Sequence, residues 1–262
     1  MTGQVVLTGC LVAGLLAGGA MSQVTGQSSS VKADLAALPK ADLPGGTSKM
    51  SCDIASFQAS APSDTTISSA RNSTDPVSQC IVEGYVTTTN PGPNKVNFAL
   101  HLPTKESWNG RYYFGNQGGS GGSVPIEAQH PQGNPLNANF AWAGTDKGHS
   151  NVGNVGVSGD WQKDPAKALD NAYRGAHVVT VATQQMTKAY YGVEKMYRYA
   201  GGCSGGGGMG QSSVSHYPED FDGVMMGGQT NSGDPLIDQA SILPCAYMGS
   251  MVGPAGKDIF VQ

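Results

Sequence analysis

Apolar and polar residues alternate along Ile81-Val82-Glu83-Gly84-Tyr85-Val86 and again along Val96-Asn97-Phe98-Ala99-Leu100-His101-Leu102. A period of two is what a strand shows when one of its faces is buried. Asn90-Pro91-Gly92-Pro93-Asn94 lies between the runs and carries turn residues, so the pair predicts a hairpin. Pro103 ends the second strand, Trp108-Asn109-Gly110 turns the chain, and Arg111-Tyr112-Tyr113-Phe114 begins a third. Asn139-Phe140-Ala141-Trp142-Ala143-Gly144-Thr145 reads as a buried strand. From Pro165 to Tyr191 the period changes: Leu169, Ala172, Ala176, Val179, Thr183 and Met186 fall on one stripe, which predicts an amphipathic helix. Pro165 suits its first turn and Gly192 its C-terminal cap. A strand over 195–200, a helix over 205–217 and a strand over 223–227 continue an alternation that predicts a parallel α/β sheet.

A chain of 262 residues accommodates one large core or two small domains. With 15 basic and 19 acidic residues and no basic block, it carries no footprint for nucleic acid. Val5 to Ala20 is almost wholly apolar and is followed by Ala20-Met21-Ser22. This matches the apolar region and small-residue cleavage site of an export signal over 1–22, with Gln23 as mature start, though Met1-Thr2-Gly3-Gln4 lacks the usual positive charge. The run is short and glycine-rich for a membrane span. Leu7-Thr8-Gly9-Cys10 is similar to a lipoprotein cleavage box, but the apolar run continues past it. Residues 23–45 lack periodicity and are expected to be a disordered lead-in, leaving 46–262 as the folded part. An exported chain reaches an oxidising compartment, secreted or periplasmic, where Cys52 and Cys80 are expected to pair.

The candidate chemistry sits in Tyr199-Ala200-Gly201-Gly202-Cys203-Ser204-Gly205-Gly206-Gly207-Gly208-Met209-Gly210. Gly202-x-Ser204-x-Gly206 is the pattern of a nucleophile elbow, in which a strand ends, the serine occupies a sharp turn and a helix leaves at once. Gly205-x-Gly207-x-x-Gly210 also satisfies a dinucleotide fingerprint, but Asp222 follows too soon to be the usual ribose acid. The strand–turn–helix context favours the elbow. A second glycine-rich segment, Gly115-Asn116-Gln117-Gly118-Gly119-Ser120-Gly121-Gly122, follows the Arg111 strand. Such a loop can bring a backbone N–H of Gly118 or Gly119 close to a substrate oxygen, beside the N–H of Gly205. His149 follows Asp146 in a loop, where an Asp/His pair that stabilises the turn is expected rather than a catalytic base.

With these residues assembled, the chain resembles the tannase and feruloyl esterase family. The matching stretches are Trp108–Arg111, the Gly115–Gly122 loop, Thr145–His149, Tyr173–His177, Tyr191-Gly192, Gly202–Gly207 and Tyr217–Gly223, in family order. Cys203-Ser204 and Pro218-Glu219-Asp220-Phe221-Asp222-Gly223 are the specific ones. The sequence departs from the family at Gly208, where Arg is common, and around Gln117. The resemblance implies an α/β-hydrolase core, a mostly parallel sheet flanked by helices, and a serine esterase acting on small aromatic esters such as feruloyl or galloyl conjugates. It implies Ser204 as nucleophile and a disulfide from Cys203 to a cysteine directly after the catalytic His. It implies no redox cofactor; the structural calcium that family members often hold belongs to a lid segment not recognised here.

The elbow scaffold orders its triad as Ser, acid, His. The one histidine after Ser204 is His216, twelve residues on and expected on the helix that the elbow launches. Asp222 belongs to the Pro218–Gly223 segment, and Asp234 and Asp238 to a polar stretch leading towards a lid. The triad Asp and His, the lid and the C-terminal part of the core are therefore expected outside residues 1–262. The partner of Cys203 is expected there too, with Cys245 as the alternative if the chain is complete. The competing reading is a truncated or decayed exported α/β domain without catalysis.

Overall fold

In the computed structural model, described for residues 40–41, 46, 48–119, 121–125, 134–150 and 159–227, the hairpin is part of a seven-stranded sheet. The strands are β1 (Thr65–Ser73), β2 (Gln79–Thr88), β3 (Asn94–Pro103), β4 (Arg111–Asn116), β5 (Ala141–Thr145), β6 (Tyr197–Cys203) and β7 (Gly223–Gly227), in the order β1-β2-β3-β5-β4-β6-β7. β1, β2, β3 and β5 pair antiparallel in turn, whereas β5, β4, β6 and β7 run parallel. The sheet is thus mixed, with five of its strands pointing the same way. The expected signal segment, most of the expected lead-in, His130, Asp234, Asp238 and Cys245 lie outside the described residues.

The pleat sorts the side chains. Val82, Phe98, Leu100, Tyr112, Phe114, Ala141, Ala143 and Ala200 face one core, and Ala99, Tyr113 and Trp142 face another with Leu136 and Phe140. The first core is roofed by α3 (Gly175–Tyr191), which contributes Ala176, Val179, Ala182 and Met186. This is the stripe read from the sequence. Within it Thr183 Oγ1 meets the hydroxyl of buried Tyr112 at 2.7 Å, which gives both groups a partner where water does not reach.

Local signals account for most ends. Asp164 caps α2 (Pro165–Leu169) by accepting from the amides of Ala166 and Lys167, and Gly192 closes α3 in the left-handed region at φ 69°. The helix expected over 165–191 is not uniform: Asp170–Arg174 forms a π turn between α2 and α3. β6 begins at Tyr197 rather than at 195 and extends to Cys203, because it pairs with both β4 and β7. Two elements escaped the sequence pattern. α1 (Ile54–Ser60) is capped by Asp53, whose carboxylate accepts from the Ser56 amide, and β1 is an edge strand with Ile67 as its buried apolar residue. Cys52 and Cys80 form the expected disulfide, joining the chain just before α1 to β2.

Candidate active site

The connection from β4 leads to β5 on one side, whereas that from β6 leads to β7 on the other. Ligands of open α/β sheets bind outside the carboxyl ends of strands where connections diverge in this way. β4 and β6 are neighbours in register, with Asn116 opposite Gly202, so their two following loops emerge side by side. These are the two glycine-rich segments.

Ser204 stands between β6 and α4 (Gly205–His216) at φ 58° and ψ −122°. Such a backbone costs a residue with a Cβ about 1–3 kcal/mol and persists only where the surroundings impose it. Here its N–H donates to the Gly227 carbonyl at 2.8 Å, and its carbonyl accepts from the Gly208 amide at 3.0 Å. The two glycines of the motif face each other across the turn: a Cβ added at Gly202 would stand 2.7 Å from the Gly206 carbonyl carbon, and one at Gly206 would overlap the Asn116 carbonyl oxygen. Gly205, Gly207 and Gly210 lie within α4 rather than in a phosphate-binding loop, which removes the dinucleotide reading. Position 208, where the family commonly has Arg, faces open space among the described residues.

The second glycine segment closes over the first. A Cβ at Gly205 would overlap the Gly119 carbonyl oxygen, and one at Gly118 would stand 3.4 Å from the Cys203 carbonyl oxygen. Gly118, Gly119 and Gly205 are therefore brought together at the elbow. The first amides of α4 have no carbonyl one turn earlier to bond within the helix, and the helix dipole adds positive potential there. The loop is tied to the segment after β5 by Gly122 N–H to the Asp146 carbonyl and by Lys147 Nζ to the Gln117 carbonyl, both 3.1 Å. Burial pushes the Lys147 amine down to about 8. Sequence reasoning gave Lys147 no role of its own; a basic residue two positions beyond a predicted buried strand was the signal.

The described histidines are engaged elsewhere. His216 ends α4, meets the Ser212 carbonyl and stacks on Tyr173. His177 Nδ1 lies 2.9 Å from Asp220 Oδ2 and its ring stacks on Tyr217. His101 Nδ1 meets Gln79 Oε1 in β3, and burial pushes its pKa down to about 4. His149 stacks on Trp161, while the Asp146 carboxylate accepts from Asn97 and the Gly148 amide. That is a different partnership from the Asp/His pair expected. Asp222 binds Arg198 through a side-chain pair at 2.7 Å and accepts from the Arg198 amide, and the guanidinium holds its carboxyl below the usual range. It thus sits at the start of β6, about 20 Å of extended strand from Ser204. Cys203 is half-buried with its sulfur beside Gly227. Among the described residues no group of three or more His, Cys, Asp or Glu gathers to hold a metal ion.

Comparison with known proteins agrees with this geometry. Residues 80–231 match the family model described as "Tannase and feruloyl esterase". A probable feruloyl esterase B-2 of Aspergillus terreus is 32% identical over 165 residues, covering 61% of this chain and 29% of that protein. A mono(2-hydroxyethyl) terephthalate hydrolase of Piscinibacter sakaiensis is 29% identical over 154 residues, 56% of this chain and 24% of that protein. The crystal structure of feruloyl esterase B from Aspergillus oryzae superposes with a TM-score of 0.55 at 29% identity, covering 68% of this chain and 36% of that one. The chain spans about a third or less of the length of these relatives. With the elbow and the facing glycine loop both inside the matched residues, the chain belongs to the tannase and feruloyl esterase family.

Proposed function

We propose that the protein is an exported carboxylic ester hydrolase acting on small aromatic esters of the feruloyl or galloyl kind. Ser204 attacks the ester carbonyl and forms an acyl-enzyme, which water then cleaves. The N–H groups of Gly205 and of Gly118 or Gly119 donate to the tetrahedral oxyanion, each worth about 2.7–4 kcal/mol in comparable sites. The base and its orienting acid come from outside the described residues, because the described histidines are engaged elsewhere. The unmatched two thirds of the relatives' length leaves room for both. Relatives named for feruloyl esters and for a terephthalate ester support an aromatic acyl group. The Cys52–Cys80 disulfide supports an oxidising compartment. Among the described residues no helix is long and apolar enough to cross a membrane.

The observation that carries this reading is Ser204 at positive φ between strand and helix, with Gly119 pressed against Gly205. Incubation of the protein from its full reading frame with a fluorophosphonate should label Ser204, and methyl ferulate should be hydrolysed. Ser204→Ala should abolish labelling and lower turnover by about 10^4-fold or more. Undiminished hydrolysis in that variant would refute the mechanism. A wild-type protein inert towards both reagents would favour a non-catalytic domain instead.

A further inference from the structure

Lys147 follows β5 in the left-handed region, at φ 63°, and is 3% exposed. Its aliphatic stem lies under Gly121, where an added Cβ would stand 2.7 Å from Lys147 Cδ. Its ammonium donates to the Gln117 carbonyl at 3.1 Å, and the neighbouring Asp146 carbonyl accepts from Gly122. The loop after β5 therefore grips residues 117–122 at both ends. The Gln117 carbonyl and the Gly118 N–H belong to one planar trans peptide, so they point in opposite directions and turn together. Fixing the carbonyl fixes the direction of the N–H. Gly118 in turn lies against Cys203, one residue before the nucleophile.

We infer that Lys147 is a positioning residue for ester hydrolysis, orienting the Gly118 N–H towards the oxyanion by holding the carbonyl of the same peptide. The inference rests on the esterase reading of Ser204 and assigns Lys147 no contact with substrate. A charged donor on a carbonyl is stronger than a neutral one and polarises the peptide, which makes its N–H a better donor. Packing alone does not call for an amine at this depth, since an unbranched apolar side chain fills the same space without desolvating a charge. The cost is visible in the depressed pKa of the amine.

The test compares Lys147→Met and Lys147→Arg with the wild type in the protein from its full reading frame. Two quantities are read: kcat and KM for methyl ferulate, and amide hydrogen exchange over residues 116–122. Lys147→Met should lower kcat about 10- to 100-fold, with KM within about threefold, and should speed exchange of the loop. Lys147→Arg, which keeps the charge, should recover most of kcat. Wild-type kcat and exchange in Lys147→Met would overturn the inference. So would a raised KM at unchanged kcat, which would mean that Lys147 shapes substrate binding. If Lys147→Met does not fold, Lys147→Gln decides: a reduced kcat supports the anchor and a wild-type kcat overturns it. Ser204→Ala separates the two readings. Turnover that survives it removes the esterase mechanism, while faster exchange in Lys147→Met would still report the anchor.

Discussion

Ser204 and Lys147 each occupy a conformation or an environment that the isolated residue disfavours, and each is held there by backbone groups. Ser204 is bracketed by the Gly227 carbonyl and the Gly208 amide. Lys147 is held by the Gln117 carbonyl. For Lys147 the expense has a pH signature. Its amine titrates near 10.5 when unfolded and near 8 when folded, so the unfolded chain binds more protons between those values. Burying the charge therefore costs stability fully below about pH 8, and the cost is relieved as pH rises towards 10.5. Among the described residues, Asp146 and His149 of its own loop and Asp170 with Arg174 beyond Gly148 are ionisable, yet burial alone causes the shift. Urea unfolding should show the wild type gaining on the order of 3 kcal/mol relative to Lys147→Met between pH 7 and 10.5. A constant difference across that range would contradict the burial of a charged amine.

At the scale of elements, the π turn places Asp170 where three other pieces of chain meet. Its carboxylate takes donors from Arg174, Thr88 and Asn94, and Asn94 also donates to the Gly148 carbonyl. Arg174 reaches on to the Thr89 and Pro91 carbonyls. The hairpin turn, the helix and the Lys147 loop are thus fastened at one buried ion pair. Asp170→Ala leaves a nearly buried guanidinium without its counter-charge and should destabilise by about 3–5 kcal/mol, read as a lower urea midpoint. A change under about 1 kcal/mol would mean that these pieces hold together without it. The stripe of α3 was legible because burial recurs every third or fourth residue along one segment. The π turn was not, because its cause is a carboxylate reaching residues 76 and 82 positions away.

For the molecule as a whole, the Cys52–Cys80 bond spans 28 positions and ties the start of α1 to β2 of the sheet. Reducing it should cost about 3–4 kcal/mol in the chain-entropy account, read as a shift of the urea midpoint with reductant. The double variant Cys52→Ser/Cys80→Ser should show no such response to reductant. An unchanged midpoint in the wild type would show that the packing of Phe57 against Tyr190 holds α1 without the bond.

Residue order alone gave away the hairpin, the long helix and the glycine–serine turn, since each rests on forces between near neighbours. Pleat, helical period and the steric demand of a tight bend repeat within a few positions. It also placed a second glycine loop after the Arg111 strand and expected an amide of Gly118 or Gly119 beside that of Gly205. Two matters waited for the assembled sheet: β1 joining as an edge, and Lys147 reaching Gln117. In each the partners are brought together by strand order and not by sequence spacing. β1 is polar because an edge strand buries little, so no periodicity announces it. The Gln117 carbonyl of the Gly118 peptide is held by a side chain thirty positions away, and no local pattern encodes that distance.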